Sequence, residues 1–184
     1  MKKIIYSDLY RYTGNTSYFS FIKNLILNPA FRYTYVFRKT QYYSAKRFSI
    51  FKYYYKVKLR MLMVKYGYQI PSNVEIGKGF YIGHFGSVVI NPKVTIGNNV
   101  NIAKGVVLGQ SNRGKNIGVP TICDKVWIGS NAVIVGNIVI NSDVLIAPNA
   151  YVNFDVPSHS IVIGNPAKVI PVENATKAYI NNCI

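Results

Sequence analysis

The chain predicts a mainly β fold: a parallel β-helix of hexapeptide repeats preceded by an α-helical segment. Three observations carry this prediction. Aliphatic residues recur at every sixth position, as Ile70, Ile76 and Ile82, then Ile90, Ile96, Ile102 and Leu108, then Ile122, Ile128, Ile134, Ile140, Ile146 and Val152. A small or branched residue follows four places later at Val74, Val94, Val100, Val126, Ala132, Ile138, Val144 and Ala150. Gly comes directly after the aliphatic residue in IGKGFY, IGHFGS, IGNNVN and IGSNAV. A period of six fits neither an amphipathic helix nor an alternating sandwich strand. It fits short strands coiling in parallel, each with one inward aliphatic side chain and a turn after it. Gly and Asn stand where such turns require positive φ.

The period breaks twice. From Ile82 to Ile90 the step is eight, so two extra residues bulge beside His84, Phe85 and Gly86. From Leu108 to Ile122 the step is fourteen, which inserts a loop reading GQSNRGKNIGVPT. Insertions in a regular solenoid map to surface loops, which is where function is expected.

Residues 1–68 read as a basic, Tyr-rich helical region. A turn-like TGN spans Thr13 to Asn15, and Thr16 or Ser17 can cap a helix running to Asn28, where Asn-Pro interrupts it. Pro29 suits the first turn of a second helix, roughly Ala30 to Tyr43. In a third helix Phe48, Phe51, Tyr55, Leu59, Leu62 and Tyr66 form one apolar stripe, with Lys52, Lys56 and Arg60 beside it and Gly67 at its end. The repeat domain occupies 69–172, with its loop at 109–121. Pro157, Pro166 and Gly164 set turns after the last repeat, and 173–184 form a tail expected to be flexible from Tyr179 onward.

At 184 residues, 49% of them hydrophobic, the chain has room for one domain and an appendage. No run approaches the ~18 apolar residues of a membrane span, and the first residues lack a secretory signal, so a cytoplasmic location is expected. The net charge of +16 is uneven: residues 1–70 hold 14 of the 22 Lys and Arg, 13 of the 16 Tyr and a single acid, Asp8. Such a field attracts nucleic acid, anionic lipid or acidic polymer alike. No zinc-finger, RNP-type or helix-turn-helix pattern favours nucleic acid. The third helix's stripe is read first as packing against the other helices or the solenoid base, and second as a peripheral contact with the inner face of the membrane. Cys123 and Cys183 make neither a disulfide framework nor a metal cluster, and no metal is expected.

Together, IGHFGSVVI, the loop before Pro120, VWIGSNAVIVGNIVI and DVPSHSIVIGNPAKVI resemble the hexapeptide-repeat acetyltransferases over about residues 69–172, specifically the serine acetyltransferase-like branch. The segments SDLYRYTG and NPAFRYTYVFR are similar to members of that branch that O-acetylate capsular polysaccharides. The resemblance implies a left-handed β-helix with three hexads per coil. It also implies a homotrimer with acetyl-CoA in the groove between subunits. Closure into a ring agrees with the need to cover a solenoid's flat faces through one repeated interface.

The same resemblance assigns residues. His84 occupies the position of the catalytic histidine, where a neutral imidazole removes the acceptor hydroxyl's proton. His159, in the PSHS turn, reads as structural. Gln69 stands where serine acetyltransferases carry the aspartate partner of that histidine; its carbonyl can hold a tautomer, and a spacer role is equally open. Gly109 is a candidate backbone oxyanion donor. For acetyl-CoA, Lys168 matches the basic position near the nucleotide phosphates, Gly164 permits the turn that presents it, and Gly136, Asn137 and Ala147 flank the arm. Gly136 and Ala147 equally suit plain β-helix turns.

Serine acetyltransferases grip the amino-acid carboxylate with an Arg-His pair, and here those positions are Gly118 and Val119. A saccharide hydroxyl is therefore the expected acceptor, free or lipid-linked, in capsular or other surface-glycan synthesis, with Phe85, Gln110, Ser111, Asn112, Arg113 and Asn116 as acceptor-binding candidates. The alternative is serine O-acetylation for cysteine synthesis, which the terminal Ile184 favours. A non-catalytic trimeric scaffold at the membrane surface ranks third.

Overall fold

The computed structural model describes residues 1–184. Four helices come first: α1 (Lys2–Thr13), α2 (Tyr18–Leu27), α3 (Pro29–Ser44) and α4 (Ile50–Tyr66). Ser17 caps α2 by accepting from the Ser20 N–H, and the Asn28 side chain caps α3 by accepting from the N–H groups of Ala30 and Phe31. Gly67, at φ 75°, ends α4 in the left-handed region. The sequence pattern did not mark α1, because its stability comes from what it touches: Leu9 and Asp8 are fully buried.

From Tyr68 the chain winds as a three-sided parallel solenoid. The first face stacks five strands, Tyr68–Gln69, Val88–Ile90, Val107–Gly109, Val133–Val135 and Tyr151–Val152, so the chain wraps about five times. The second face holds Glu75–Ile76, Thr95–Ile96, Thr121–Ile122 and Val139–Ile140. On the third lie Tyr81–Ile82, Asn101–Ile102, Val126–Ile128, Val144–Ile146 and Ser160–Ile163, closed by the antiparallel strand Lys168–Pro171. Every aliphatic residue of the six-residue period is buried, as is every small or branched residue four places on. Asn99, Asn131 and Asn149 take positive φ at the corners, as expected, but so do Lys125, Asp143 and His159.

The first coil would expose a row of unpaired backbone groups at the solenoid's open end, and side chains from the helices pair them. Tyr33 donates to the Ile70 carbonyl (3.0 Å), Gln41 to Val74 (2.9 Å), and Arg38 to Ile76 (2.7 Å) and Gly77 (2.6 Å). Asp8 accepts from the Phe80 N–H (2.9 Å), and Arg11 donates to the Gly79 carbonyl (2.8 Å). The Tyr12 hydroxyl accepts from the Ile82 N–H (3.0 Å). Arg38 and Asp8 also pair directly at 2.8 Å, both buried. Burial pushes the Asp8 carboxyl up, against the pull of Arg38.

Two expectations change. Of the single stripe read for the third helix, Tyr55, Leu59, Leu62 and Tyr66 do face the protein, but Phe48 is 86% exposed and Phe51 54%. Phe48 precedes α4 and so never joins its helical face, while Phe51 rests on the Tyr43 ring at 5.4 Å. The tail, expected to be flexible, is docked along the third face. Asp143 accepts from the N–H groups of Ala175 and Thr176 and from the Thr176 hydroxyl. Asn101 donates to the Tyr179 carbonyl and Asn99 bonds the Ile184 backbone. These partners are outward-facing and distant in sequence, so no local pattern announced them.

Removing one member of the buried pair strands the other charge. Asp8→Ala should cost roughly 3–5 kcal/mol, read as a lower midpoint in chemical denaturation. A loss under about 1 kcal/mol would show that the pair is dispensable to the cap.

Candidate active site

His84 lies on the corner between the third and first faces, in the bulge that breaks the period. The bulge is pinned from both sides: Gly86 N–H donates to the Tyr66 carbonyl at the end of α4 (3.0 Å), Val88 N–H to Gly67 (3.1 Å), and Gly105 N–H from the next coil to Ser87. The imidazole itself is exposed and makes no hydrogen bond within the chain.

Two clefts meet at Gly83 and His84. The first, about 420 Å³, opens over the third face and is walled by Tyr12, Tyr81, Asn101, Trp127 and Tyr179. The second, about 320 Å³, lies between the bulge and the α2–α3 junction and is lined by Lys23, Asn24, Leu27, Asn28 and Phe85. Arg11 reaches the first cleft, but its donors are committed to Asn181 (2.9 Å), Gly79 and Asn101 (2.7 Å). Burial pushes the Tyr12 phenol up, so it stays protonated there.

Along the corner that carries His84, successive coils place Gly83, Ala103, Gly129 and Ala147. Their N–H groups donate to Ile102 (3.0 Å), Ile128 (3.0 Å), Ile146 (2.8 Å) and Val162 (2.8 Å) of the coils above. A Cβ on Gly129 would sit 2.6 Å from the Pro148 nitrogen, so this position must stay bare. The column therefore offers no side chain larger than a methyl, over three strand spacings or about 14 Å. At its far end Gly164, at φ 87°, turns the chain so that exposed Lys168 pairs with Ile163.

The 109–121 loop lies on a different corner, between the first and second faces. It folds as a small hairpin through Ser111 and Gly118, which exchange backbone hydrogen bonds of 2.9 and 3.1 Å. Its polar side chains bond within the exposed loop or to the next coil: Gln110 donates to Asn112 (2.6 Å), the Ser111 hydroxyl to the Arg113 carbonyl (3.0 Å), and Asn116 to the Asn153 carbonyl (2.9 Å). Gly136 and Asn137 form its seat. A Cβ on Gly136 would meet the Asn116 carbonyl at 2.8 Å, and one on Gly118, at φ 137°, would meet Asn137 Cβ at 2.9 Å. Gly118 thus cannot carry an arginine in this loop conformation.

Of the sequence candidates, the chain gathers His84 and Phe85 with the corner that leads past Ala147 to Gly164 and Lys168. Gln69 points outward from the first face in register with Val89 and shares no hydrogen bond with His84. Gly109 remains inside its strand opposite Val135. The loop residues, Gly136 and Asn137 stand one face away. His159 bonds Asp143 at 2.9 Å and lines neither cleft beside His84.

The sequence reading missed the first cleft's aromatic wall. A signal was present: Tyr81, Asn101 and Trp127 each precede the inward isoleucine of a repeat, and they align in register across the third face.

Residues 120–153 match the family described as bacterial transferase hexapeptide (six repeats). The chain is a hexapeptide-repeat β-solenoid. It is similar to the serine acetyltransferase of Staphylococcus aureus (strain Mu50 / ATCC 700699), 41% identical over 104 residues, which are 56% of this chain and 49% of that protein. The chain thus spans about half the length of that curated relative. Soybean serine acetyltransferase, as apoenzyme, superimposes with a TM-score of 0.76 at 26% identity, covering 92% of this solenoid chain and 68% of that one. Serine acetyltransferase from Brucella abortus strain S19, in complex with coenzyme A, shares the fold with a TM-score of 0.74 at 23% identity, over 94% of this chain and 68% of the other.

The docked tail supplies Tyr179 to the first cleft, against the Trp127 ring at 5.0 Å. Burial pushes the Asp143 carboxyl up, yet the hydrogen bonds from Thr176, His159 and Ala175 outweigh it and hold it below its usual value. A carboxyl depressed in the folded state stabilises it above the free value of about 3.9 and loses that contribution as pH falls through the lower folded value. Asp143→Asn at neutral pH, or acidification of the parent below about pH 4, should therefore loosen the tail and change the emission of Trp127, the chain's one tryptophan. Unaltered Trp127 emission in the variant would show that other contacts hold the segment.

Proposed function

We propose that this protein is an acetyl-CoA-dependent O-acetyltransferase with His84 as general base. The observation that carries this reading is the bare corner running from Lys168 to His84, at the point where two clefts meet. A thin pantetheine arm needs a narrow floor without side chains, and a nucleotide phosphate needs a cation at the far end. Gly83, Ala103, Gly129 and Ala147 supply the first and Lys168 the second. The named relatives, all serine acetyltransferases, and the coenzyme A bound to the Brucella protein support the same donor.

In this reading the donor lies along the corner with its thioester at His84, and the acceptor enters through the second cleft, beside Phe85. The imidazole takes the acceptor hydroxyl's proton as the oxygen attacks the thioester carbonyl. The new C–O bond forms, the C–S bond breaks, and the proton passes to the departing CoA sulfur.

The loop that the sequence assigns to the acceptor lies one corner away, so it reaches His84 only from a neighbouring copy. A cyclic trimer, in which the loop corner of one protomer meets the His84 corner of the next, brings it there. The outward row of Val89, Val107 and Val133 on the first face, between these corners, is an apolar surface suited to that contact.

For the acceptor, the relatives' names support L-serine better than a saccharide, and none of them names a capsule or a glycan. One local feature agrees with serine: Lys23 in the second cleft is free to meet a carboxylate. The remaining residues favour a saccharide hydroxyl. No carboxylate stands at position 69, where the serine enzymes carry their dyad aspartate, Gly118 cannot bear the carboxylate-gripping arginine, and exposed Phe85 offers a flat apolar surface. A lysine gives a point charge where recognition of a carboxylate is best served by a bidentate fork.

His84→Ala should lower kcat by about 10²- to 10⁴-fold while leaving acetyl-CoA affinity nearly unchanged. Near-normal turnover would overturn the general-base assignment. CoA release with activated sugars or oligosaccharides should exceed that with L-serine by roughly a hundredfold. Efficient acetylation of L-serine, abolished by Lys23→Ala, would instead establish the serine reading and leave His84 in its role.

A further inference from the structure

Helix α4 carries two apolar faces, and only one has a partner. Tyr55, Leu59, Leu62 and Tyr66 pack inward. On the opposite side Ile50, Tyr53, Tyr54, Val57, Met61 and Val64 recur at the three- and four-residue spacing of a second stripe. This stripe faces solvent: Val57, Met61 and Val64 are 62, 66 and 73% exposed. Lys52, Lys56 and Arg60 run along one flank of it and Lys58 and Lys65 along the other, with Lys46 and Arg47 just ahead of the helix. No acid lies on α4, and Asp8, the one acid in the first 70 residues, is buried against Arg38.

We propose that this face of α4 docks flat on an anionic lipid bilayer. Apolar side chains along one line, tyrosines among them and cations on both margins, match the boundary between acyl chains and acidic headgroups. Seventeen residues span about 25 Å, and no helix of the protein is long and apolar enough to cross a membrane, so α4 lies on the surface instead. Charge selects this occupant over a second copy of the chain. Two α4 faces meeting would set lysine against lysine with no carboxylate between them. A nucleic acid would neutralise the cations but leave the apolar stripe in water. The docking stands whichever hydroxyl compound is the acceptor.

The test is co-sedimentation of the full chain with vesicles of phosphatidylcholine alone or mixed equally with phosphatidylglycerol. The bound fraction should be at least about tenfold larger on the anionic vesicles at low ionic strength and should fall steeply as salt approaches about 0.5 M. The combined variant Val57→Ser, Met61→Ser and Val64→Ser alters only exposed positions, so it should keep the parent's circular dichroism and melting temperature while losing vesicle binding. Three results would overturn the proposal. The parent chain could stay in the supernatant with anionic vesicles at low salt. The triple variant could bind as well as the parent. Or the substitutions could lower the oligomer mass in light scattering, or abolish retention of RNA, without changing vesicle binding, which would make the face a protein or nucleic-acid contact.

Discussion

A parallel solenoid has a first coil with no coil beneath it, and everything else in this protein depends on how that open edge is paired. Left alone, the edge would be a row of carbonyl and N–H groups ready to pair with another chain. Here Tyr33, Gln41, Arg38, Arg11, Tyr12 and Asp8 bond those groups one by one, from the two helices α1 and α3. Arg38 is central, since a single planar guanidinium meets two backbone carbonyls and the Asp8 carboxylate together. Two of the N-terminal cations, Arg11 and Arg38, are thus buried in the cap and add nothing to the surface field.

The cap also builds the site. The carbonyl at the end of α4 holds the N–H of Gly86, two residues after His84, and the α2–α3 junction walls one of the two clefts that meet at the imidazole. On the other side, the tail docks through Asp143 and closes the aromatic wall of the first cleft. The candidate base therefore sits where the helical cap, the solenoid corner and the chain's last residues converge. The inserted loop stands at the other edge of the first face, one corner away from the imidazole.

Seven of the cations outside the cap, Lys46, Arg47, Lys52, Lys56, Lys58, Arg60 and Lys65, are grouped about α4, whose two apolar faces answer to different surroundings. One face is satisfied by α3 and the solenoid base, through contacts such as the hydroxyl of Tyr66 accepting from Arg32 (2.9 Å). The other has no counterpart in the chain. Dividing the net charge this way, between buried donors and a cationic margin around an apolar stripe, gives the composition a physical meaning that its total did not have.

The six-residue period determined the solenoid, its inward residues and both interruptions, because burial in a coil depends on strict local spacing that a sequence displays directly. It located the bulge at His84 and the turn before Lys168, and helix punctuation at Ser17, Asn28, Pro29 and Gly67 was equally legible. The sequence did not determine α1, whose buried Asp8 and Leu9 are explained only by distant partners, or the docking of the tail, whose hydrogen-bond partners lie on coils 32 to 85 residues earlier. Nor did it separate the corners: Ala147 and Gly136 read alike as turn residues, and only the winding of the chain put one on the corner of His84 and the other under the loop. Spacing along a chain reports which side chains point inward. Which outward residues become neighbours is decided by how many times the coil has turned between them.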